Sequence, residues 1–541
     1  MSALRIFQIR FLPIFAIVGM SSCAPGPNSR QENAPTPYHV DLAQAPSWSS
    51  DDLEFFLHGS MGTEVVPERV LHAFMGAYPD LYPGKDLSPF GLIVERSNGL
   101  PMGFSRREID HLGGLPSIGM NCAACHVGRV ESTPGTPVVT VLGMTSHFNV
   151  EQFFGALTLA MLRTQEPANM KRFLKHYLDA YDPEEGAEAQ ALLDTKLQRQ
   201  SRAIAAAIKA DPSASEDIAA GALHSINGAD LQINRKLLEH GMDLAPLVKS
   251  ILKLFHNMRV ALHIPDKLPK RVIEPAGPGR NDAFGLLASS FFGLTTVDAP
   301  SKYGLAWDLS KRIWVHWDGN NKDVIARNLS AALGLGAPIA GDHAILDFEL
   351  IKRHTALSQP IRPPRYPFPI DVEAARRGER YFQANCASCH TGPEDDHRLF
   401  SPEKVGTDPN RARQLDQQQA ELYRKTLSTV KIEGYQPGTD PPFRITKKYW
   451  ASDLSGVWAR SPYLHNGSVR IMRDLLAPSA SRPQTFHRGT RVYDPVRMGY
   501  KDAGSFLFKT SGKGNGKDGH DYGTNLSDEE KRLLMEYLKT L

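Results

Sequence analysis

No feature restricts the fold of this chain more than Cys122-Ala123-Ala124-Cys125-His126, two thiols three positions apart followed at once by an imidazole. The spacing lets both sulfurs bond one edge of a flat macrocycle while the histidine turns beneath it onto a central metal. That is the attachment pattern of c-type haem. A second copy, Cys386-Ala387-Ser388-Cys389-His390, argues against coincidence. A zinc knuckle wants another ligand pair close by, and a thioredoxin-like redox pair wants a βαβ setting; neither is present. The expectation is two covalently bound haems, one held by Cys122, Cys125 and His126, the other by Cys386, Cys389 and His390.

Five cysteines are present, and the one outside the two motifs is Cys23. It closes a start that reads as an export leader: Arg5 and Arg10, the apolar run Phe11 to Val18, then Gly19-Met20-Ser21-Ser22. The run Val18 to Cys23 also looks like a bacterial lipoprotein processing site. Residues 1–22 are therefore expected to be a signal peptide of lipoprotein type, and 23–48 a flexible tether. The body is expected in the periplasm or outside the cell, or as an outer-membrane lipoprotein if Cys23 is lipidated, with that anchor its sole membrane contact. A net charge of +3 in 541 residues leaves no basic footprint for nucleic acid.

The pattern along the chain predicts a mainly α protein: two cytochrome c-like haem-binding regions, a helical insertion and long irregular loops. Residues 49–150 form the N-terminal haem region, with Ser50, Asp51 and Asp52 as helix-start candidates. Proline and glycine between Tyr78 and Gly119 predict irregular backbone around the first motif. Residues 151–370 combine a helical insertion, including the run Ala187 to Lys209, with a haem-pocket segment. In the latter, Arg280 and Asp282 are candidate partners for haem propionates or for each other. Trp307, Trp314 and Trp317 are read as core, with electron relay as the functional alternative. After Pro360 to Pro369, residues 371–541 read as a C-terminal cytochrome c domain. A helix from Asp371 with Gly378 at a crossing point leads into Cys386, and a capping box, Ser527 to Glu530, opens the terminal helix.

On spacing alone His465, Met472 and Met498 compete for the second iron's other face. The segment Tyr463 to Val469, with Asp474 to Leu476, Arg482-Pro483, Phe486, Gly489, Tyr493 to Pro495 and Gly499-Tyr500, resembles the di-haem family of bacterial rubber oxygenase. These RoxA-like cytochromes are related to di-haem cytochrome c peroxidases. Weaker similarity touches Gly59 to Pro67, Gly277 to Gly285 and Trp307 to Gly336. The resemblance implies that His390 and His465 cap the second iron. It also implies that the haem on His126 keeps an exchangeable face for hydrogen peroxide or dioxygen, and that the oxygen pocket is largely apolar with a phenylalanine near the iron. Phe284 is the candidate for that residue. His147 could instead cap the first iron and close the site.

The expected function is that of an exported di-haem oxidoreductase of peroxidase or dioxygenase type, with electrons relayed by the second haem. Its partners would be a small oxidant and either a redox protein or an isoprenoid polymer. The alternatives are a non-catalytic electron-transfer cytochrome with both irons six-coordinate, and a metal-stabilised binding protein without haem.

Overall fold

The computed structural model describes residues 40–94, 100–109, 112, 114–179, 244–261, 275–283, 285–286, 299–322, 324–337, 346–393, 395–429 and 443–541. The expected leader, Cys23, the run Ala187 to Lys209 and Phe284 lie outside them. Of the expected tether, Gln44 and Ala45 are buried, and Gln44 donates to the carbonyls of Leu142 (3.0 Å) and Arg362 (2.9 Å).

The expectation of a mainly α chain does not hold. The described residues are 43% helical and 15% strand, a mixed α/β arrangement with several small sheets. Much of the strand lies where irregular backbone was expected. Helix α1 (Ser50–His58) is opened by a reciprocal cap between Ser49, where the helix start was expected, and Asp52, one of the capping candidates. Strand β1 (Val66–Pro67) leads into α2 (Glu68–Ala77). Strands β2 (Phe104–Ile109) and β3 (Leu115–Met120) pair antiparallel, and β1 joins the other edge of β3.

The first motif is α3 (Cys122–His126), followed at once by β4 (Val127–Thr133) and β5 (Thr136–Leu142), which form a hairpin. Its signal was Pro134-Gly135 between two β-branched runs; Gly135 sits at φ +77°, which a tight turn requires of a residue without Cβ. Pro134-Gly135 lies beyond the stretch for which irregular backbone was expected; within that stretch the described residues from Tyr78 to Gly103 are turns, isolated bridge residues and short 3-10 segments, and strands enter only with β2 and β3.

Two cores organise the rest. In the first, α2 packs on α5 (Pro167–Asp179), which follows α4 (Val150–Thr164), and both meet α6 (Leu244–Ala261). Phe74 lies 5.2 Å from Phe173 and 5.5 Å from Phe255, centroid to centroid. Each such buried ring contributes roughly 1.5–3 kcal/mol of transfer free energy. The second core gathers Trp307, Phe382, Trp458, Tyr493, Leu534 and Leu538, but also Phe56, Val127 and Val141 from the N-terminal haem region. One apolar body therefore backs both motifs.

The C-terminal frame follows the sequence expectation. Helix α7 (Val372–Asn385) crosses α8 (Asp528–Thr540) at Gly378, where an added Cβ would lie 2.0 Å from the Leu533 carbonyl oxygen. Ser527 and Glu530 cap α8 reciprocally. No helix among the described residues is long and apolar enough to cross a membrane.

Candidate haem sites

The first motif is held rigidly from outside. Asn121 caps α3 by accepting from the Ala123 N–H (2.9 Å), while its side-chain amide donates to the Gly59 carbonyl (2.9 Å). Gly103, at φ +85°, lies so close to α3 that a Cβ there would stand 1.9 Å from the Ala124 nitrogen. Cys125 is buried, and the Cys122 thiol contacts the Met61 sulfur at 3.6 Å. His126 is enclosed. Burial, and secondarily the positive charge of Arg327, push its pKa down to about 3, so it is neutral, as an iron ligand must be. The Gly304 backbone lies beside the ring, yet Nδ1 has no hydrogen bond of regular geometry.

His126 opens on a cavity of about 810 Å³ including its mouth. Leu305, Leu309, Val315, Trp317 and Trp450 supply apolar walls, but Asp282, Arg312, His316 and Arg327 line it as well. The described walls are thus more polar than the largely apolar oxygen pocket that the resemblance implies.

The second motif, Cys386 and the short helix Ala387–His390, opens on a larger cavity of about 1330 Å³ including its mouth. Its lining is chiefly apolar, with Phe400, Val405, Leu454, Val457, Met472, Leu475, Leu476 and Leu538. His390 Nδ1 bonds the Ser452 carbonyl at 2.7 Å, so Nδ1 carries the proton and Nε2 the lone pair. Across from it stands His520, whose ring centroid is 6.2 Å from that of His390. Two imidazole nitrogens about 2 Å from one metal, with each ring centre roughly 1 Å farther back, put the centroids about 6 Å apart.

His465 lines the same cavity, but its Nε2 is 3.0 Å from the Tyr449 hydroxyl and the two rings stack at 4.2 Å. Met472 also lines it, whereas Met498 is fully buried in the second core. His520 was not singled out in the sequence. Its signal is the glycine-rich run Gly512 to Gly523 just before α8; the residue sits at φ +53°, a left-handed conformation that turns a loop side chain inward.

Buried cations border the second cavity. Lys302 and Arg460 line it; Lys302 Nζ donates to the carbonyls of Arg460 and Pro462, and Arg460 to the Ser452 hydroxyl (2.8 Å). Burial and the neighbouring Arg460 and Arg488 push the Lys302 pKa well down, so its ammonium form is the one that an arriving carboxylate would restore. Arg280 commits its guanidinium to Ala276, Pro300 and Asn515 and stands over the Phe508 ring. Asp282 faces the first cavity, with Arg411 and Arg327 the cations acting on it, so Arg280 and Asp282 are not brought together as a pair. Cationic groups hydrogen-bonded to neutral oxygens are a ready counter-charge for carboxylates arriving with a ligand.

The donor sets fit haem at both places. Each offers two thiols and a neutral imidazole beside a cavity; the second adds a facing imidazole and cations. Cys122, Cys125 and His126 would hold one haem, and Cys386, Cys389 and His390 the other.

Trp317 and Trp450, with Leu305 and Ser452, line both cavities and form their common wall. Trp307 is core, and Trp314 lies under the Arg444 guanidinium at 3.5 Å. His147 lines a third, small cavity with Arg488, Arg470 and Tyr500, separate from the cavity of His126.

Comparison with known proteins agrees with the second site. Residues 448–487 match the family described as RoxA-like, cytochrome c-like. The matched stretch includes Trp450 of the common wall, Ser452, Arg460 and His465. Over 93% of its length the chain is 25% identical to the uncharacterized protein y4iJ of Sinorhizobium fredii (strain NBRC 101917 / NGR234), covering 95% of that protein. Over 46% of its length it is 32% identical to the uncharacterized protein y4iM of the same strain, covering 65% of that protein. The chain therefore carries a RoxA-like cytochrome c segment that supports haem binding.

Proposed function

We propose that the protein is an exported di-haem c-type cytochrome acting as an oxidoreductase. A small oxidant, hydrogen peroxide or dioxygen, would be met in the cavity of His126, with electrons passing by way of the cavity of His390. Haem, when bound, supplies an iron that takes the oxidant at one site and exchanges electrons at the other. The observation that carries this reading is the difference between the cavities. One presents two facing imidazoles in apolar surroundings; the other presents His126 together with charged and polar groups.

The chain's own residues divide the work accordingly. His390 and His520 would hold the second iron between them, supported by the 6.2 Å between their rings. His465 would then act through its bond to Tyr449, orienting that wall. The apolar lining excludes water, and Lys302 with Arg460 would neutralise the propionates. Trp317 and Trp450 are shared by both cavities and would give electrons a short path between them. The polymer-cleaving and protein-oxidising variants of the expected activity share this frame.

A second reading, an electron-transfer cytochrome with both irons capped, draws its support from His316 in the first cavity. A capped relay has no use for Asp282, Arg312 and Arg327 around its iron, which favours the first reading.

The test is rapid mixing of the half-reduced, haem-loaded protein with hydrogen peroxide or with dioxygen. Reoxidation of the low-spin haem, blocked by cyanide bound at the other, is expected with at least one oxidant. Reoxidation unaffected by cyanide, or absent with both oxidants, would remove the catalytic reading.

A further inference from the structure

One guanidinium of the first cavity is left over when the charges around it are paired. The helix Val324–Gly334 presents Arg327 and, four residues on, Ala331 to the cavity of His126. Side chains at that spacing share a face. The other side of the helix is committed elsewhere. Leu329, Ala332 and Leu333 pack with Met61 and Ile351 in a third apolar cluster, and the Asn328 amide donates to the Thr355 hydroxyl (2.8 Å). That packing fixes which face of the helix meets the cavity.

Arg411 donates to Asp318 Oδ2 (2.9 Å), an ion pair buried on both sides. Arg327 has nothing comparable: among the described residues, none forms a hydrogen bond or an ion pair with its side chain. Asp282, the carboxyl of the same cavity, instead accepts from the Gly285 N–H (2.9 Å), and Arg411 acts on it more strongly than Arg327 does. The Arg327 charge nevertheless sits within the site, since His126, Cys122 and His316 all feel it. Burial pushes its own pKa below the ordinary arginine value. A guanidinium drawn out of water without a protein acceptor is costly, and its planar fork matches a group that offers two oxygens side by side. The lining sets Arg312 and Arg327 against Asp282, with His126 and His316 neutral. With Asp282 ionised, one positive charge is left to balance, which suits a carboxylate better than a doubly charged phosphate.

We infer that Arg327 is a carboxylate-binding residue of the first cavity, its fork receiving both oxygens of one carboxylate. Two sources supply that chemistry: a propionate of the haem attached at Cys122 and Cys125, or a small organic acid that enters by the mouth. The first source rests on the proposed haem reading and deepens it; the second needs only the cavity. A propionate on Arg327 would leave Asp282 and Arg312 as the groups that set this site apart from a capped relay.

The test compares the haem-loaded protein with Arg327→Gln, which removes the charge, and with Arg327→Lys, which keeps the charge without the fork. An unchanged spectrum of the second haem reports folding. Maturation with aminolevulinate carrying heavy carbon in its carboxyl group labels the haem propionates, so redox-triggered infrared difference spectra separate them from Asp282. Calorimetry with sodium acetate reads a free carboxylate. If the ligand is a propionate, a labelled carboxylate band shifts in Arg327→Gln and shifts less in Arg327→Lys, and acetate does not bind. If it is a free acid, acetate binds wild type, binds Arg327→Gln about tenfold more weakly, and leaves the labelled bands alike. Labelled bands and acetate binding that are alike in all three proteins would overturn the inference. Should Arg327→Gln not fold, wild type against Arg327→Lys decides by the same signals. A protein whose mass shows no haem at Cys122 and Cys125 would remove the haem reading, and acetate calorimetry would then decide the role of Arg327 by itself.

Discussion

The two cavities begin from the same five-residue pattern and differ in what the remainder of the chain brings to them. Around His390 it brings aliphatic side chains, a second imidazole from the loop before the last helix, and cations hydrogen-bonded to neutral oxygens. Around His126 it brings a carboxyl, two guanidinium groups and an imidazole held by a buried ion pair. The first arrangement suits a centre whose ligands never change, the second a centre that must handle protons. On the proposed reading the motif would attach the cofactor, and the distant loops would decide its use.

The largest expected effect bears on the second cavity. His520→Ala should turn the low-spin haem high-spin, whereas His465→Ala should leave it low-spin and cost about 1 kcal/mol for the lost hydrogen bond, since the Tyr449 hydroxyl keeps the Asp408 carbonyl and the Ala412 N–H as partners. Spectra of the two variants side by side check this, and reversed outcomes would return the ligand role to His465. Next, the two frames should fail separately. Gly378→Ala forces a Cβ against the Leu533 carbonyl and should lower stability by about 1–3 kcal/mol. The low-spin band should be lost first in a thermal melt. Gly103→Ala, which presses on α3 with added strain from its positive φ, should act on the high-spin band first; simultaneous loss in both variants would mean that the shared core couples the sites into one unit. Asn121→Ala removes the cap of α3 and should cost about 1 kcal/mol, read as reduced stability of the first site alone. The smallest effect belongs to Ser452→Ala. Its carbonyl, which orients His390, is kept, so the second haem's spectrum should not move, and losing the hydroxyl that accepts from Arg460 costs about 1 kcal/mol.

Short-range features of this molecule were readable in the residues. The two C-x-x-C-H motifs, the cap at Ser527 and the glycine crossing at Gly378 are all patterns of residues close together in the chain. The β-structure around the first motif was missed because proline and glycine mark hairpin turns as well as loops. Val127 to Thr133 and Thr136 to Leu142 carried the β-branched pattern that separates the two. His520 and His316 were missed for another reason. Both lie in left-handed turns, and their partners, His390 and Asn320 with Asp318 and Arg411, depend on how distant segments pack. Among 19 histidines no local pattern singles out those two. Lys302 and Arg460 show the same limit, since only the assembled cavity places them together.

The most direct measurement of the central claim is electron paramagnetic resonance of the ferric, haem-loaded protein before and after cyanide. The account predicts one high-spin signal that cyanide converts to low-spin, and one low-spin signal that cyanide leaves unchanged. Two low-spin signals, both indifferent to cyanide, would contradict it.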